Sequence, residues 1–194
     1  MKQEHVRSKL IEGAIHVISR DGLDKASTKQ ISLETGLNEA YIYRCFRDKE
    51  DLLIQMYNML DEELMAKTTS YIDVMSMTGI DFETRCRVYF FAVWKFLIEN
   101  EDRCLAYTRY YYSPYFVKYS AKGHEERFSP LVDRFRRAFK DEAAVWMILS
   151  HILNVMFDFV IKVHTGQMPN DDDHSEHVFR VVYHSVEQYF KETA

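Results

Sequence analysis

The chain has 194 residues, 47 % of them apolar, and a formal net charge of −5, enough for one large domain or a small domain fused to a larger one. The acidic balance excludes a wholly basic nucleic-acid binder. It is uneven, however: residues 1–50 carry nine Lys/Arg against eight Asp/Glu, and the remainder sixteen against twenty-two, so the N-terminal part is the surface more tolerant of phosphate. Three cysteines, Cys45, Cys86 and Cys104, lack metal-ligand spacing and fit a reduced cytoplasmic protein better than a secreted one.

Only six glycines and three prolines interrupt the sequence, which predicts helices rather than short strands joined by turns. Met1 to Leu10 is charged and has no apolar signal core, so no leader is expected. Leu10/Ile11, Ala14 and Val17/Ile18 recur at helical spacing, and Gly22 follows as a stop. Ser27 with Gln30 is a capping-box pattern opening a second helix, which Gly36 ends. Asn38 is placed to cap a third, short helix running to about Phe46. Asp48 is placed to cap a long one, with Leu53, Met56/Tyr57, Leu60 and Leu64 on one face.

After a break at Gly79-Ile80-Asp81, a stripe of Phe82, Cys86, Tyr89/Phe90, Val93 and Leu97 predicts another helix. A shorter segment from Asn100 ends at Ser113-Pro114, and Ser129-Pro130 reads as the start of a further helix, with proline in its first position. Ala143 to Val163 is apolar enough to span a bilayer. It carries His151, Asn154 and Asp158, and an aspartate near the centre costs about 2.5–3.5 kcal/mol on insertion scales. A buried helix of a soluble protein, opened by Asp141 and closed by Gly166 to Pro169, is therefore expected. Asp173 with Glu176 is expected to cap the last helix, whose stripe is Val178, Val181/Val182, Ser185 and Tyr189. About nine helices and no strand make the predicted fold all-α.

The segment Thr28 to Phe46 carries a helix-turn-helix pattern. Gly36 supplies the positive φ of the turn, Ser32 is the small residue four positions earlier that permits close approach, and Ile31, Leu37 and Ile42 are placed to lock the pair. With its flanks, residues 10 to 52 resemble the TetR family of transcriptional regulators. The matching features are the apolar helix Ile11 to Ile18, Gly22, Thr28, the Ile31-Ser32 pair, the Gly36-Leu37-Asn38 turn, Ile42-Tyr43, Phe46, and Lys49-Glu50-Asp51-Leu52. Ser32, Ala40, Tyr41 and Glu39 depart from the common family residues. Glu39 is the sharpest departure, since a carboxylate facing DNA is repelled by phosphate unless it accepts from cytosine N4.

The resemblance implies an N-terminal three-helix DNA-binding domain over 1–48 and a larger helical ligand-binding and dimerisation domain over 49–194. The implied function is a ligand-responsive regulator, of repressor type and not an enzyme. It would act on double-stranded palindromic operator DNA as a cytoplasmic homodimer, without cofactor or membrane partner. Thr28, Tyr43 and Lys49 would hold phosphates with help from Asn38, while Glu39, Ala40, Tyr41 and Arg44 would face the major groove. Residues 141–191 would pair with their copies in a four-helix bundle, and the effector, an aromatic or amphipathic small molecule, would lie among the aromatic residues of the C-terminal part. The side chains expected to meet it are Phe90, Trp94, Tyr107, Tyr110, Tyr111 and Trp146, with His151, Asn154 and Asp158. The last three lie on a polar stripe with Ser150 and Lys162 that has three open readings: pocket, dimer interface or solvent.

Two other readings compete. An all-helical enzyme or cofactor binder would use His151 and Asp158 as acid and base, but no nucleophile motif, phosphate loop or metal spacing accompanies them. A TetR-like module that binds protein partners without DNA function is opposed by the presence of Thr28, Tyr43 and Lys49. Asp171, Asp172, Asp173, His174 and His177 read as capping and dipole chemistry at a helix start rather than as a metal site. Cys45 reads as a packing residue rather than an oxidation sensor.

Overall fold

The computed structural model describes residues 3–191. Nine α-helices are found among them: α1 (Gln3–Asp21), α2 (Thr28–Thr35), α3 (Ala40–Cys45), α4 (Lys49–Ser70), α5 (Phe82–Glu99), α6 (Glu101–Tyr111), α7 (Ala121–Phe135), α8 (Val145–His164) and α9 (Asp172–Val186). Short 3-10 turns and one π-helical segment, Phe116–Ser120, connect them. Among the described residues there is no strand, only an isolated bridge between Phe139 and Phe190.

The helix boundaries follow local chemistry. Ser27 Oγ accepts from the Gln30 N–H at 3.2 Å, Asp48 Oδ1 from Asp51 at 2.7 Å, and Asp81 Oδ1 from Thr84 at 2.9 Å, each satisfying a first-turn donor that has no partner within its helix. Gly36 takes φ 65°, and the Leu37 N–H then reaches back to the Ser32 carbonyl at 3.2 Å, closing α2 with a left-handed cap.

The structure differs from the sequence expectations in four places. The last helix is capped by Asp171, not Asp173: Asp171 has extended backbone, and its carboxylate accepts from the His174 N–H at 2.8 Å, so α9 begins two residues early. Its inward stripe is Val178, Phe179, Val182 and Val186, which leaves Val181, Ser185 and Tyr189 on the outside. Ser129-Pro130 does not start a helix but lies inside α7, because Phe128, Leu131, Val132 and Phe135 continue one buried face across it. Finally, α8 is covered along one face only: 33 % of the most apolar window of Glu142–His164 is buried.

The chain forms two compact units. One runs to Glu63 and adds Glu101–Glu125; the other comprises Leu64–Asn100 and the chain from Glu126 onward. In the first, α1 packs on α2, α3 and α6. Three side chains of α6 fasten to α1: Arg103 pairs with Glu12 at 2.6 Å, Asp102 accepts from Ser19 Oγ at 2.5 Å, and Arg109 donates to the Ile18 and Ser19 carbonyls at the helix end. Arg103 also reaches Glu63 on α4 at 3.1 Å. The interior of this unit is aromatic, with Tyr57 stacked on Tyr110 at 4.6 Å and on Tyr107 at 5.3 Å. Beside them the buried Asp61 carboxylate meets His124 Nδ1 at 2.9 Å and accepts from the Tyr107 hydroxyl at 3.3 Å. In the second unit, α5 packs against α8 and α9, and α8 against α9.

Candidate nucleic-acid interface and apolar cavity

The helix-turn-helix is held from inside by Ile31 and Ile42, both fully buried, and by Phe46 at its end. A contact that sequence reasoning missed sets the approach of α1 to α2. A β-carbon on Gly13 would stand 2.3 Å from the Thr35 methyl, so any larger residue must push that side chain aside. Thr35 is itself fixed, its hydroxyl donating to the Ile31 and Ser32 carbonyls. Ser32, the small residue expected where the two helices of the helix-turn-helix meet, is buried too, but its hydroxyl has no partner among the described residues.

The outward face of the motif carries the residues expected to meet DNA. Tyr43 is 61 % exposed, and Arg44 is exposed with its guanidinium over the Tyr41 ring at 5.3 Å. Ala40 is exposed, and its N–H donates to Asn38 Oδ1 at 2.9 Å, which fixes the turn into α3. Lys49 opens α4 half-buried. Among the described residues neither Arg44 nor Lys49 pairs with a carboxylate, whereas the nearby acids are occupied: Glu34 with Arg20, and Asp51 with the Arg47 N–H and Gln55. Burial pushes the Asp51 carboxyl up, but these donors outweigh it and hold it below its ordinary value. Thr28 and Glu39 are joined, the Thr28 hydroxyl donating to Glu39 Oε2 at 2.7 Å. The Glu39 carboxylate is thus engaged by a neighbour on α2.

In the second unit, α5, α7, α8 and α9 enclose a cavity with about 70 Å³ of free space, walled by side chains such as Phe90, Leu131, Leu149, Met156 and Val182. Its three titratable neighbours are neutral at pH 7: burial pushes the Cys86 thiol and the Tyr183 phenol up, each to about 12, and raises the Tyr89 phenol as well. Of the nine side chains expected around an effector, Phe90 lies on this wall, and Trp94 stacks on Phe90 at 5.8 Å. Trp146 packs edge-on against Phe128 at 4.6 Å. Tyr107, Tyr110 and Tyr111 belong to the first unit, in the cluster around Tyr57. His151, Asn154 and Asp158 are exposed; His151 Nε2 lies 3.2 Å from Ser185 Oγ, and Asp158 pairs with Lys162 at 2.5 Å. Asp171, the first of the acidic residues read as capping chemistry, is the cap of α9, held below the ordinary carboxylate value by the His174 backbone N–H and ring.

A left-handed glycine turn between two short helices, a third helix beneath them and an outward face with unpaired cations define a helix-turn-helix DNA-binding domain. The family profile described as bacterial regulatory proteins, tetR family, matches residues 10–56. The N-terminal segment is thus similar to that family's helix-turn-helix domain, and the fold is similar to that of solved TetR regulators. A TetR family transcription regulator from Marinobacter aquaeolei VT8 superposes with a TM-score of 0.77 at 17 % identity, over 99 % of this chain and 100 % of that one. The HTH-type nicotine-responsive transcriptional repressor HdnoR of Paenarthrobacter nicotinovorans is 33 % identical over 67 residues, 34 % of either chain, so the match spans about a third of the repressor's length.

Proposed function

We propose that the protein is a ligand-responsive transcriptional regulator of the repressor kind, a cytoplasmic homodimer that binds a palindromic operator and is released by a small molecule. In this reading residues 1–48 contact DNA and 49–194 carry sensing and dimerisation. The observation that carries it is the outward face of α3: Tyr43 and Arg44 are presented to solvent while Ile42 and Phe46 hold the helix down. The uncovered face of α8 supports pairing through 141–191, and the nicotine response stated for HdnoR supports an effector.

The chain offers two covalent routes for the effector's influence. Helix α4 runs without a break from Lys49 to Ser70, beginning in the first unit and ending in the second. Helix α5, on the cavity wall, passes through Asn100 into α6, which is fastened to α1 by Arg103 and Arg109. In a two-fold dimer the recognition helices must stand about 34–36 Å apart to enter successive major grooves, so a small change in either route weakens both half-sites together. An effector that lowers DNA affinity tenfold must bind the released form about 1.4 kcal/mol more tightly, and operator DNA must weaken effector binding by the same factor.

The test is footprinting on DNA from upstream of the protein's own gene. A protected two-fold symmetric site, held well above the affinity for unrelated DNA, is the expected result. Equal affinity for both DNAs would remove the operator from the account.

A further inference from the structure

Beside the apolar cavity lies a half-open cleft of quite different chemistry. It has about 490 Å³ of free space and is lined by Arg85, Arg134 and Arg137 with Asp133. The two spaces share Met75, Phe82 and Phe135 as a common wall. The cavity side offers hydrocarbon and neutral polar groups, so no charge can be desolvated there without large cost. The cleft side holds three guanidiniums against one carboxylate, and that carboxylate is engaged: Asp133 Oδ1 accepts from Arg136 at 3.0 Å. Among the described residues no carboxylate pairs with Arg85, Arg134 or Arg137.

Arg85 joins the two spaces. Its Nη1 donates to the Met75 carbonyl at 2.8 Å and its guanidinium lies over the Phe82 ring at 5.2 Å, which fixes the side chain at the shared wall. Its Nε is buried without a hydrogen-bond partner. A buried cationic donor left unmatched is a costly arrangement that an arriving anion would relieve. Guanidiniums recognise carboxylate and phosphate oxygens through paired N–H donors, and exposed Arg134 and Arg137 can close on the same head group.

Resting on the effector-responsive reading above, we infer that the effector is a single-chain amphipathic anion, its hydrocarbon tail entering the apolar cavity and its carboxylate or phosphate head lying among Arg85, Arg134 and Arg137. The free space of about 70 Å³ is under half that of a cavity known to hold benzene, about 150 Å³, so the tail must displace side chains as it enters. Met75 and Met156 on the wall, each unbranched and able to change rotamer, suit that displacement.

The experiment is calorimetric titration of the full chain without DNA, using decanoate, decyl phosphate, decanol and decyltrimethylammonium below their micelle concentrations. Octanoate and dodecanoate extend the series. At least one of the two anions is expected to bind tenfold or more tightly than decanol. Within the carboxylates, affinity should rise about tenfold for every two methylenes. The double variant Arg134→Gln/Arg137→Gln, at exposed positions that leave the core intact, should lose tenfold or more in anion affinity and keep its decanol affinity. Arg85→Gln should show the same selectivity. Equal binding of decanol or the cation, an unchanged double variant, or no binding of any amphiphile would overturn the inference. A chain that protects its operator but binds no amphipathic anion loses this inference alone. A chain that binds the anion but has no operator loses the regulatory reading and keeps the site.

Discussion

At the scale of the residue, Ser32 shows what burial without a partner costs. Its hydroxyl is buried and finds no acceptor or donor among the described residues. Removing it deletes an unmet polar group and introduces a better helix former. Ser32→Ala is therefore expected to raise stability by about 1 kcal/mol, read as a higher denaturant midpoint at unchanged slope. A lower midpoint would mean that the hydroxyl has a partner in solution. Thr28 and Glu39 make the complementary point. Each is expected from the sequence to meet DNA, but the 2.7 Å bond between them could not be read there, because it depends on how α2 and α3 cross.

At the scale of the element, most capping residues and apolar stripes were legible because each acts within one or two turns: Ser27, Gly36 and Asp48 do what their types and positions imply, whereas at α9 three successive aspartates left the cap open to misreading. Contacts between elements were not. Gly13 looks like a weak point in a helical stripe until α2 is laid against it, and the place of Pro130 is settled by the face that continues past it. Gly13→Ala is expected to cost about 1–3 kcal/mol, since the new methyl must displace a threonine held by two carbonyls. It should lower DNA affinity as well, and unchanged thermal unfolding would show that α1 can shift without penalty.

Two caps add a pH dependence. The Thr84 hydroxyl and N–H hold Asp81 below the ordinary carboxylate value, and the His174 N–H and ring do so for Asp171. A carboxyl whose pKa is lower in the folded state stabilises it above the unfolded value, about pH 4. That contribution disappears as pH falls through the folded value. The melting temperature should therefore drop between pH 5 and pH 3, and Asp81→Asn/Asp171→Asn should flatten part of that drop. An identical profile would remove the caps from the acid response.

At the scale of the whole molecule, the all-helical class was legible because few glycines and prolines interrupt the chain. The cavity was not, since the side chains of a cavity wall and of a filled core have the same composition and differ only in what packs against them. The proposed dimer rests on surface left uncovered: Met147 on α8 is 64 % exposed and Val181 on α9 is 55 % exposed. Val181→Arg is expected to give helical monomers by sedimentation and circular dichroism, and persistent dimers would move the interface elsewhere. Val182 is not an equivalent test, because it is buried and lines the cavity.

The claim on which the rest depends is that the helix-turn-helix face grips DNA through its phosphates, with Lys49 at the start of α4 as one of the contacts. Each phosphate neutralised by a cation releases condensed counterions, so the slope of log K against log salt counts the contacts. The most direct measurement is that slope, from fluorescence anisotropy on the upstream fragment, for the native chain and for Lys49→Ala. The expected result is a steep slope for the native chain that flattens by about one unit in the variant, with affinity falling about equally on all DNA sequences. An unchanged slope in Lys49→Ala, or native binding that does not respond to salt, would contradict the account.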